Sequence, residues 1–381
     1  AALGGYAYWE ATHLPDTKVH WNHNGDMVSQ AEPMAVGVNW VLEPSKVKLE
    51  DIILPGIPRD GIKALVSPKT QTLAEAKFDG RMRVVGVSVN GKHRAYPFSL
   101  MLHHEVINDE LGGVPIAVTL SPTSETVAVY DRRIGDDTLE LGVAGRIYYS
   151  NTMLFDRRET EQEESLWTQY DGAAVTGPAA AKDTKLKRID SIVTSWARWQ
   201  KLHPDADTLS EDTGFKRDYT LNPHAESYSS EVTAFPLPTP SGRRPDMKQK
   251  SQVVVVSTGG ASKGYFLDDL RAIKGTMIDD TLGEQAIKIG YPKKGLVVEG
   301  PEDLVRFQSY WLAVDAFEPK LELWDPKGEA DATGGETGEE SGGESADEPG
   351  DETSGDGGAP GPADAAAEGD EAAGDAAKAA G

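Results

Sequence analysis

The sequence predicts an α+β protein, rich in β-strand, in which two pseudo-repeated sheet-plus-helix lobes form one compact body ahead of a disordered acidic C-terminal tail. Three observations lead to this fold class. Short runs of alternating apolar residues lie between turn residues, which is typical of β-strands. One block of sequence recurs at a nearly constant spacing, which indicates duplicated supersecondary units. The last part of the chain lacks the residues that build a core.

Composition and the positions of turn-forming residues divide the 381 residues into five parts. Residues 1–54 form an irregular N-terminal arm, and residues 55–203 form the first lobe. Residues 204–250 are a long connection rich in Pro, Asp and Ser, and residues 251–326 form the second lobe. Residues 327–381 form the tail. We therefore expect one folded body with irregular segments at both ends.

The first lobe opens with a strong hairpin signal. The stretch "RMRVVGVSVNGKHRAYPF" predicts two strands joined at Asn90-Gly91, a dipeptide that favours a tight β-turn. The next stretch, "SLMLHHEVINDEL", follows Pro97 and stops before Gly112, and its apolar spacing predicts one helix. Short strands are predicted in "VPIAVTL", "TVAVYDRR", "LELGVAG", "TMLFDRR" and "SLWTQYDG".

Two further helices are predicted from stretches rich in aromatic residues. The stretch "SIVTSWARWQKLH" predicts a helix from Ser191 to His203 that buries Trp196 and Trp199. The stretch "PEDLVRFQSYWLAVDAF" predicts a closing helix with Pro301 in its first turn, where proline is tolerated.

The second lobe repeats the first. When "VVVVSTGGASKGY" is placed beneath "VVGVSVNGKHRAY", Tyr265 matches Tyr96 at an offset of 169 residues. After a slip of two residues, Asp280 matches Asp109 at an offset of 171. Two copies make a pseudo-symmetric pair, so we expect two lobes of the same design.

The charge of the chain is concentrated in the tail. Residues 327–381 contain 16 Asp and Glu against 2 Lys and no aromatic, Val, Ile, Leu or Met residue, so the tail accounts for more than half of the net charge of −24. Such a segment cannot bury enough apolar surface to offset its ordering entropy. The rest of the chain is also acidic, which argues against nucleic acid as a partner, because phosphate binding needs a basic face.

The N-terminus, "AALGGYAYWE", predicts an extracytoplasmic protein, either periplasmic or secreted. It fits the mature end left by a signal peptidase, or the end of a removed membrane anchor that places Tyr6, Tyr8 and Trp9 at the interface. Association with a membrane through such a removed segment therefore stays open. The absence of cysteine does not contradict this location, because a large core needs no disulfide.

The stretch Ser121-Pro122-Thr123-Ser124 has the form of a C-P-x-C redox or metal loop with hydroxyls in place of both sulfurs. Around it, "RAYPFSLMLHHEVINDELGGVPIAVTLSPTSETVAVYDRR", "GVAGRIYYSNTMLFDRR", "SLWTQYDGAAVTGP" and "DTGFKRDY" resemble domain-of-unknown-function family 3179 (DUF3179), a group of mostly exported bacterial and archaeal proteins. The resemblance covers roughly residues 55–325 and rests on several motifs in the family's order.

The resemblance implies a site that this chain retains only in part. Where the family has C-P-x-C-G, this chain has Ser121, Ser124 and then Glu125, while His104 and Glu105 match a family Trp-His-Glu step and keep their place. Thiolates with a histidine suit a redox pair or a soft metal such as copper. Serine can replace neither function, so we interpret Ser121 and Ser124 as a degenerate former site and His104 with Glu105 as its remainder.

Two other groups are candidate sites with simpler alternatives. In the N-terminal arm, His13, His20 and His23 could bind copper or another transition metal, although their spacing alone is weak evidence and the arm could equally dock on a partner subunit. Each of two predicted strands ends in Asp-Arg-Arg, so an arginine cluster could bind an anion, while Asp–Arg pairing within the cluster is favoured. Its members are Arg132, Arg133, Arg157 and Arg158.

Two functional hypotheses follow. The first is a non-enzymatic extracytoplasmic binding or structural subunit, without a cofactor, that works in a larger protein assembly. The second is a metal-handling, copper-like, or redox-associated protein that uses His104 with Glu105, or the N-terminal histidines, in place of sulfur. No catalytic residue is predicted, because the nucleophile-elbow, phosphate-loop and His-Glu-x-x-His signatures are absent from the sequence.

Overall fold

The computed structural model describes residues 40–233, 235–292 and 295–326. The predicted tail, and the predicted N-terminal arm as far as residue 39, lie outside the described residues. Within the described ranges, short strands predominate over short helices, which confirms the β-rich α+β class. None of the helices in these ranges is long and apolar enough to cross a membrane.

The first lobe and the segment before it contain most of the strands. Their bounds are β1 (Ile52–Ile53), β2 (Leu65–Val66), β3 (Thr70–Thr72), β4 (Arg83–Val89), β5 (Lys92–Pro97), α1 (Phe98–His104), β6 (Val106–Leu111), β7 (Val114–Ser121), β8 (Thr126–Asp131), β9 (Arg133–Ile134), β10 (Asp137–Thr138), β11 (Glu140–Tyr148), β12 (Asn151–Arg157), β13 (Leu166–Thr168), α2 (Gly177–Ala180), β14 (Lys187–Ile189), β15 (Ser191–Ser195) and α3 (Trp196–Leu202).

The remaining elements belong to the connection and the second lobe. Their bounds are β16 (Asp207–Leu209), α4 (Ala225–Ser229), β17 (Gln252–Thr258), β18 (Ala261–Phe266), α5 (Leu267–Ala272), β19 (Met277–Leu282), β20 (Gln285–Gly290), β21 (Val297–Glu299), β22 (Val305–Tyr310), α6 (Trp311–Phe317) and β23 (Glu322–Leu323).

A nine-stranded central sheet joins the two lobes, in the order β2-β6-β7-β8-β22-β17-β18-β23 with β14 also paired to β8. The β7–β8 hairpin lies in its middle and is buried on both faces. Val118 and Val129 pack into one core cluster with residues of β4, β5 and α1. Ala117 and Tyr130 pack into another with residues of β11, β12 and β13. The turn of this hairpin therefore lies inside the protein.

The duplication is confirmed in the order of elements and in strand pairing. In the first copy a hairpin, β4–β5, is followed by α1 and a second hairpin, β6–β7; in the second copy β17–β18 is followed by α5 and β19–β20. A later strand then adds antiparallel to the first hairpin, β15 to β4 and β22 to β17. After a further helix, β16 pairs parallel with β5, and β23 pairs parallel with β18.

The same polar cluster lies at the same place in both copies. In the first, Tyr96 donates its hydroxyl hydrogen to Asp109 at 2.8 Å. Arg94 donates to Asp109 at 2.7 Å and to Asp207 at 2.6 Å. The side chain of Asp109 is only 6% exposed, so the ion pair is largely shielded from solvent.

In the second copy, Tyr265 donates to Asp280 at 2.7 Å. Lys263 contacts Asp280 at 3.0 Å and Glu322 at 2.6 Å. The tyrosine and the first carboxylate are identical in the two copies, whereas lysine replaces arginine and glutamate replaces aspartate. The repeat therefore preserves a structural ion cluster. The second carboxylate of the first cluster, Asp207 on β16, lies within residues 204–250, which were predicted to be an irregular connection.

Each of the three predicted helices is partly wrong, because part of its range is a strand. The helix predicted over "SLMLHHEVINDEL" ends at His104, and Val106 begins β6. The other two predicted helices begin as strands β15 and β22, and helix starts only at Trp196 and Trp311. Both predicted tryptophans, Trp196 and Trp199, are buried as expected.

Candidate functional site

The Ser-Pro-Thr-Ser stretch is the turn of the central hairpin β7–β8. Ser121 pairs with Thr126, and the turn lies between them. The side chains of Ser121 and Ser124 are both fully buried. The hydroxyls that stand at the sulfur positions of the family pattern therefore do not face solvent.

Ser121 is held by the neighbouring hairpin β11–β12. The backbone N–H of Thr152 donates to Ser121 Oγ at 3.0 Å. Thr123 donates its hydroxyl hydrogen to the carbonyl oxygen of Ser150 at 2.6 Å. The turn is thus attached to the β11–β12 turn at two points, and the Ser121 hydroxyl is engaged by a backbone donor.

Ser124 belongs to a buried network of hydroxyls and amides. Its Oγ lies 2.8 Å from Thr126 Oγ1 and accepts a hydrogen bond from Asn151 Nδ2 at 2.9 Å. Thr126 Oγ1 lies 2.8 Å from Ser309 Oγ on β22. Asn151 also donates to Gln169 Oε1 at 2.9 Å. The network joins both lobes around Ser124, and such satisfied polar networks favour one arrangement of the surrounding strands.

Glu125 occupies the position of the family glycine in a left-handed backbone conformation, with φ 45°. This conformation suits glycine and costs other residues about 1–2 kcal/mol. The carboxylate is 2% exposed and accepts two hydrogen bonds from Arg83, at 2.6 and 3.0 Å. It also accepts from Gln252 at 2.7 Å and from Tyr310 at 3.1 Å. Four charge-assisted bonds therefore offset the backbone strain and connect β4 with β17 and β22.

His104 has no free ring nitrogen. Its Nδ1 lies 2.7 Å from the carbonyl oxygen of Lys63, and its Nε2 lies 2.7 Å from the hydroxyl of Tyr219. That hydroxyl also lies 2.6 Å from Thr213 Oγ1, and the ring of Phe215 contacts the imidazole with centroids 5.3 Å apart. Burial lowers the pKa of His104 to about 4, so the ring is neutral at pH 7.

Thr213, Phe215 and Tyr219 all come from the family motif "DTGFKRDY", which begins at Asp212. We name residues 212–221 the covering loop, because they lie over His104. The neighbouring His103 reaches the same loop from another side, with Nε2 2.9 Å from the carbonyl oxygen of Leu221. The two adjacent histidines diverge, as expected for neighbours on a helix.

Glu105 turns toward the serine loop and away from His104. It ends α1 in a left-handed conformation, φ 57°, and is 4% exposed. Thr152 Oγ1 donates to Glu105 Oε2 at 2.9 Å, while the N–H of Thr152 donates to Ser121. Burial raises the pKa of Glu105 to about 7. The remaining family residues are therefore separated: Glu105 contacts the serine loop through Thr152, and His104 contacts the covering loop.

Left-handed backbone at residues other than glycine is concentrated here. Besides Glu105 and Glu125, the turn between β11 and β12 has two such residues, Tyr149 with φ 49° and Ser150 with φ 58°. Strained conformations of this kind persist where the surroundings over-determine them, and they cluster at functional sites.

The predicted arginine cluster is engaged by protein acceptors. Arg133 pairs with Asp131, Arg157 with Asp60 and Glu140, and Arg158 with Asp156 and Asp137. Arg132 donates to the backbone carbonyl oxygens of Ile116, Leu139 and Asp109. Asp–Arg pairing within the cluster, the favoured alternative in the sequence, describes Arg133 and Arg158, whereas Arg157 pairs outside the cluster and Arg132 binds backbone carbonyl oxygens.

The residues at the former site fit a soft metal poorly. Both serine hydroxyls are neutral, and the Nε2 atom of His104 would have to give up its contact to the Tyr219 hydroxyl to bind an ion. No group of three or more His, Cys, Asp and Glu side chains with metal-binding geometry occurs within the described residues. The predicted ligands His13, His20 and His23 lie outside the described residues.

Several site residues were not predicted from the sequence. Asn151, Thr152, Gln169 and Arg83 hold the loop, yet none belongs to a catalytic or metal-binding motif. The sequence does carry a signal, because Asn151, Thr152 and Gln169 are polar residues in or beside apolar strands, and the structure shows all three to be buried.

Arg146 in β11 gives a prediction about stability. Its side chain is 3% exposed, Nη1 donates to Gly145 at 2.9 Å, and Nε and Nη2 have no acceptor among the described residues. Burial lowers its pKa. Arg146→Met should therefore raise the free energy of unfolding by about 1–3 kcal/mol, because an uncompensated buried charge is removed.

Urea denaturation of Arg146→Met measures this change. The control is Arg157→Met, which breaks the ion pair with Asp60 and should lower stability. A loss of stability in Arg146→Met would show that the guanidinium is compensated after all.

The comparisons with known proteins agree with the motifs. A family model described as "Protein of unknown function (DUF3179)" matches residues 59–328, which is well over half of the chain and includes the serine loop, His104 and the covering loop. No curated protein and no solved structure matches the chain. Because the match covers well over half of the sequence, the chain belongs to the DUF3179 family.

Proposed function

We propose that this protein is a non-enzymatic extracytoplasmic binding or structural subunit, a degenerate member of its family that works in a larger protein assembly. The observation that carries this proposal is the state of the serine loop. Ser121 and Ser124 are fully buried, and each hydroxyl has hydrogen-bond partners. A neutral, buried hydroxyl can neither form a disulfide nor serve as a ligand for a soft metal.

The contacts of Glu125 support a structural role. A glycine at this position would have no strain and no side chain, whereas Glu125 connects three strands from both lobes. The loop has therefore exchanged the chemistry expected of the family pattern for contacts that hold the lobes together.

The covering loop supplies a candidate surface for the partner. Phe215 is 40% exposed and Leu221 is 63% exposed, although both lie in a loop that is tied down by buried Tyr219. Ordered, exposed apolar side chains are typical of protein-binding sites. Lys216, Arg217, Asp212 and Asp218 lie beside them and are exposed, so the surface suits a partner with an apolar centre and a polar edge that carries both signs of charge.

We expect the native protein to migrate as a complex larger than one chain when its cells are gently solubilised, and Phe215→Ser with Leu221→Ser to release it. The loss of two apolar contacts weakens a typical interface by about 2 kcal/mol or more. Size-exclusion chromatography of the extract, followed with an antibody to the protein, measures the change.

Val232→Ser is the matched control, because Val232 is 61% exposed and lies outside the covering loop. It should leave the complex intact. Recovery of the wild-type protein only as a free monomer would contradict the assembly, and equal effects of the three substitutions would contradict the choice of surface.

A metal-handling or redox-associated role through His104 and Glu105, or through the N-terminal histidines, stays an untested alternative. Metal analysis of the same preparation, purified without an affinity tag, tests it. About one equivalent of copper, lost in His104→Ala, would favour this alternative over the structural role.

A further inference from the structure

The outer edge of the small sheet in the second lobe has no partner strand. This sheet has the order β19-β20-β21, and within the described ranges no strand pairs with the free side of β19. On its other side β19 pairs antiparallel with β20 from Met277 to Leu282. A strand at the edge of a sheet presents unpaired N–H and C=O groups, which an added strand can bind.

The first copy of the repeat has a strand on the equivalent edge. There β2 pairs parallel with β6, and Leu65 lies opposite Ile107. Val66 lies opposite Asn108, whose carbonyl oxygen accepts a hydrogen bond from the N–H of Ser67 at 2.8 Å. β6 and β19 occupy the same place in the two copies, because each begins the hairpin that follows the helix. β19 is therefore a copy of β6 without an outer neighbour.

β19 is also more exposed than β6. Ile107 is fully buried, whereas its equivalent Ile278 is half-buried at the edge of the core of the second lobe. Asn108 is fully buried, whereas its equivalent Asp279 is exposed. In the first copy, Leu65 covers this edge and is itself only 3% exposed. An apolar side chain opposite Ile278 would bury surface in the same way.

The backbone groups of Asp279 point away from β20. In an antiparallel pair, successive residues direct their N–H and C=O groups alternately toward and away from the partner strand. Thr281 faces away, because its N–H donates to Asp280 Oδ1 at 2.7 Å. Asp279, two residues earlier, therefore faces the same way, as its equivalent Asn108 does toward β2. It offers one N–H and one C=O to an added strand.

The segment ahead of β17 does not supply this strand. In the first copy, β2 comes from the segment ahead of the β4–β5 hairpin. The segment ahead of the β17–β18 hairpin contains Pro236 and Pro238, which lack the N–H that a strand donates. Between them, Leu237 packs against the core cluster that includes Trp311. The described part of the chain therefore leaves the edge open.

The charges at this edge favour a basic partner. Residues 276–286 contain three carboxylates and no basic residue. The carboxylate of Asp280 belongs to the ion cluster of the second copy, whereas that of Asp279 contacts Lys288 at 3.1 Å. The side chains of Lys288 and Asp279 are 57% and 81% exposed, so this pair is weak and Asp279 can turn to another cation at little cost.

We propose that β19 binds an extended segment of a partner protein, which adds as a parallel strand with an aliphatic residue opposite Ile278 and a basic residue opposite Asp279. The segment pairs with β19 as β2 pairs with β6. Main-chain hydrogen bonds hold it, and the two side chains select it. This surface is separate from the proposed function, because the covering loop contributes no strand to this sheet.

A peptide attached through a disulfide tests the proposal on the full chain. The chain contains no cysteine, so Thr281→Cys, at an exposed position of β19, introduces a single attachment point. The probe is the peptide "IKALKSC", which copies residues 62–67 with lysine in place of Val66 and ends in cysteine. The matched control peptide, "IKALESC", carries glutamate instead of that lysine. Both are equilibrated with the protein in a thiol buffer, and mass spectrometry of the intact protein measures the attached fraction.

We expect the equilibrium constant for attachment to be at least about threefold larger for the lysine peptide than for the glutamate peptide, because the edge is acidic. Hydrogen exchange of residues 277–282 should slow when the lysine peptide is attached, because its strand covers their outward N–H groups. Val232→Cys provides the matched attachment point, at an exposed residue outside the sheet, and should show no preference.

Two variants of Asp279 in the Thr281→Cys background test the register. Asp279→Lys should reverse the preference, because it reverses the charge of the edge. Asp279→Pro should abolish the preference, because it removes both the carboxylate and the outward N–H, at a position where an edge strand tolerates proline. Glu231→Lys, which changes an exposed ion-paired carboxylate outside the sheet, is the control and should keep the original preference.

Equal attachment of the two peptides at Thr281→Cys would overturn the proposal, as would the same preference at Val232→Cys. Unchanged hydrogen exchange in β19, or a preference that survives Asp279→Lys, would overturn it as well. If Asp279→Pro is unstable, the result with Asp279→Lys decides alone. Each of these outcomes leaves the covering-loop surface untouched, because that surface is tested by Phe215→Ser with Leu221→Ser.

Discussion

Replacing Glu125 by glutamine is expected to lower the free energy of unfolding by about 2–4 kcal/mol, because it leaves a charged partner without its counter-ion. The Glu125 carboxylate is 2% exposed, and Arg83 donates to both of its oxygens. The Arg83 side chain is 36% exposed, and its guanidinium lies over the ring of Phe98, 4.1 Å from its centroid. Glutamine keeps the size of the side chain and removes its charge.

A double-mutant cycle separates the ion pair from the other contacts of Glu125. Arg83→Met keeps apolar contact with Phe98 and removes the positive charge, so the double variant should be more stable than the two single effects would predict when added. Urea denaturation of the four proteins gives the coupling free energy, which we expect to exceed about 1.5 kcal/mol.

The control is the exposed pair Lys248–Glu231, whose side chains are 71% and 74% exposed at the same 2.6 Å separation. Glu231→Gln should change stability by less than about 1 kcal/mol, because solvent screens an exposed pair. A Glu125→Gln variant as stable as wild type would refute the structural role of this residue.

The same position shows what the sequence can and cannot predict about the site. The family pattern identifies Glu125 as a replacement for glycine, and left-handed backbone at φ 45° is the physical reason for a glycine there. The compensating contacts could not be predicted, because Arg83, Gln252 and Tyr310 lie 42, 127 and 185 residues away in the chain.

The fold was predictable where local signals and the repeat agree. The hairpin at Asn90-Gly91 forms as expected, with positive φ at both residues. The helix predicted over "SLMLHHEVINDEL" stops at His104, because Glu105 adopts a left-handed conformation and the β-branched residues Val106 and Ile107 continue as a strand between β2 and β7. Helical spacing of apolar residues cannot reveal a break that one residue makes.

The sequence predicted some of the site residues, but it did not predict which of them lie together. The family motif identifies Ser121, Ser124, His104 and Glu105. In the structure, Thr152 connects Glu105 with Ser121, because it donates a hydrogen bond to each of them. His104 is separated from them because its ring faces the covering loop. The direction in which two adjacent side chains leave the end of a helix depends on the backbone at Glu105, and composition and spacing do not encode that angle.

Glu105 also leads to a prediction about pH. Burial raises its pKa from an ordinary 4.5 to about 7, so the folded protein binds this proton more tightly than the unfolded chain does. Its contribution to stability is fully present below about pH 4.5 and is lost as the pH rises through about 7, a total of about 3 kcal/mol.

His104 acts in the opposite sense. Its pKa falls from 6.5 to about 4, so its contribution is present above about pH 6.5 and is lost as the pH falls through about 4.

Glu105→Gln should therefore stabilise the protein on the alkaline side alone. Glutamine resembles the protonated carboxyl and has no charge to desolvate, so we expect wild type and variant to be about equally stable near pH 4.5 and the variant to be about 3 kcal/mol more stable near pH 8. Urea denaturation across this range measures the difference, which removes the contributions of His104 and other groups common to both proteins. Glu110→Gln, at an exposed position on β6, the strand that follows Glu105, is the control and should follow the wild-type profile. Parallel profiles for wild type and Glu105→Gln would mean that the Glu105 carboxyl is already ionised in the folded protein, and that Thr152 and its surroundings stabilise the charge.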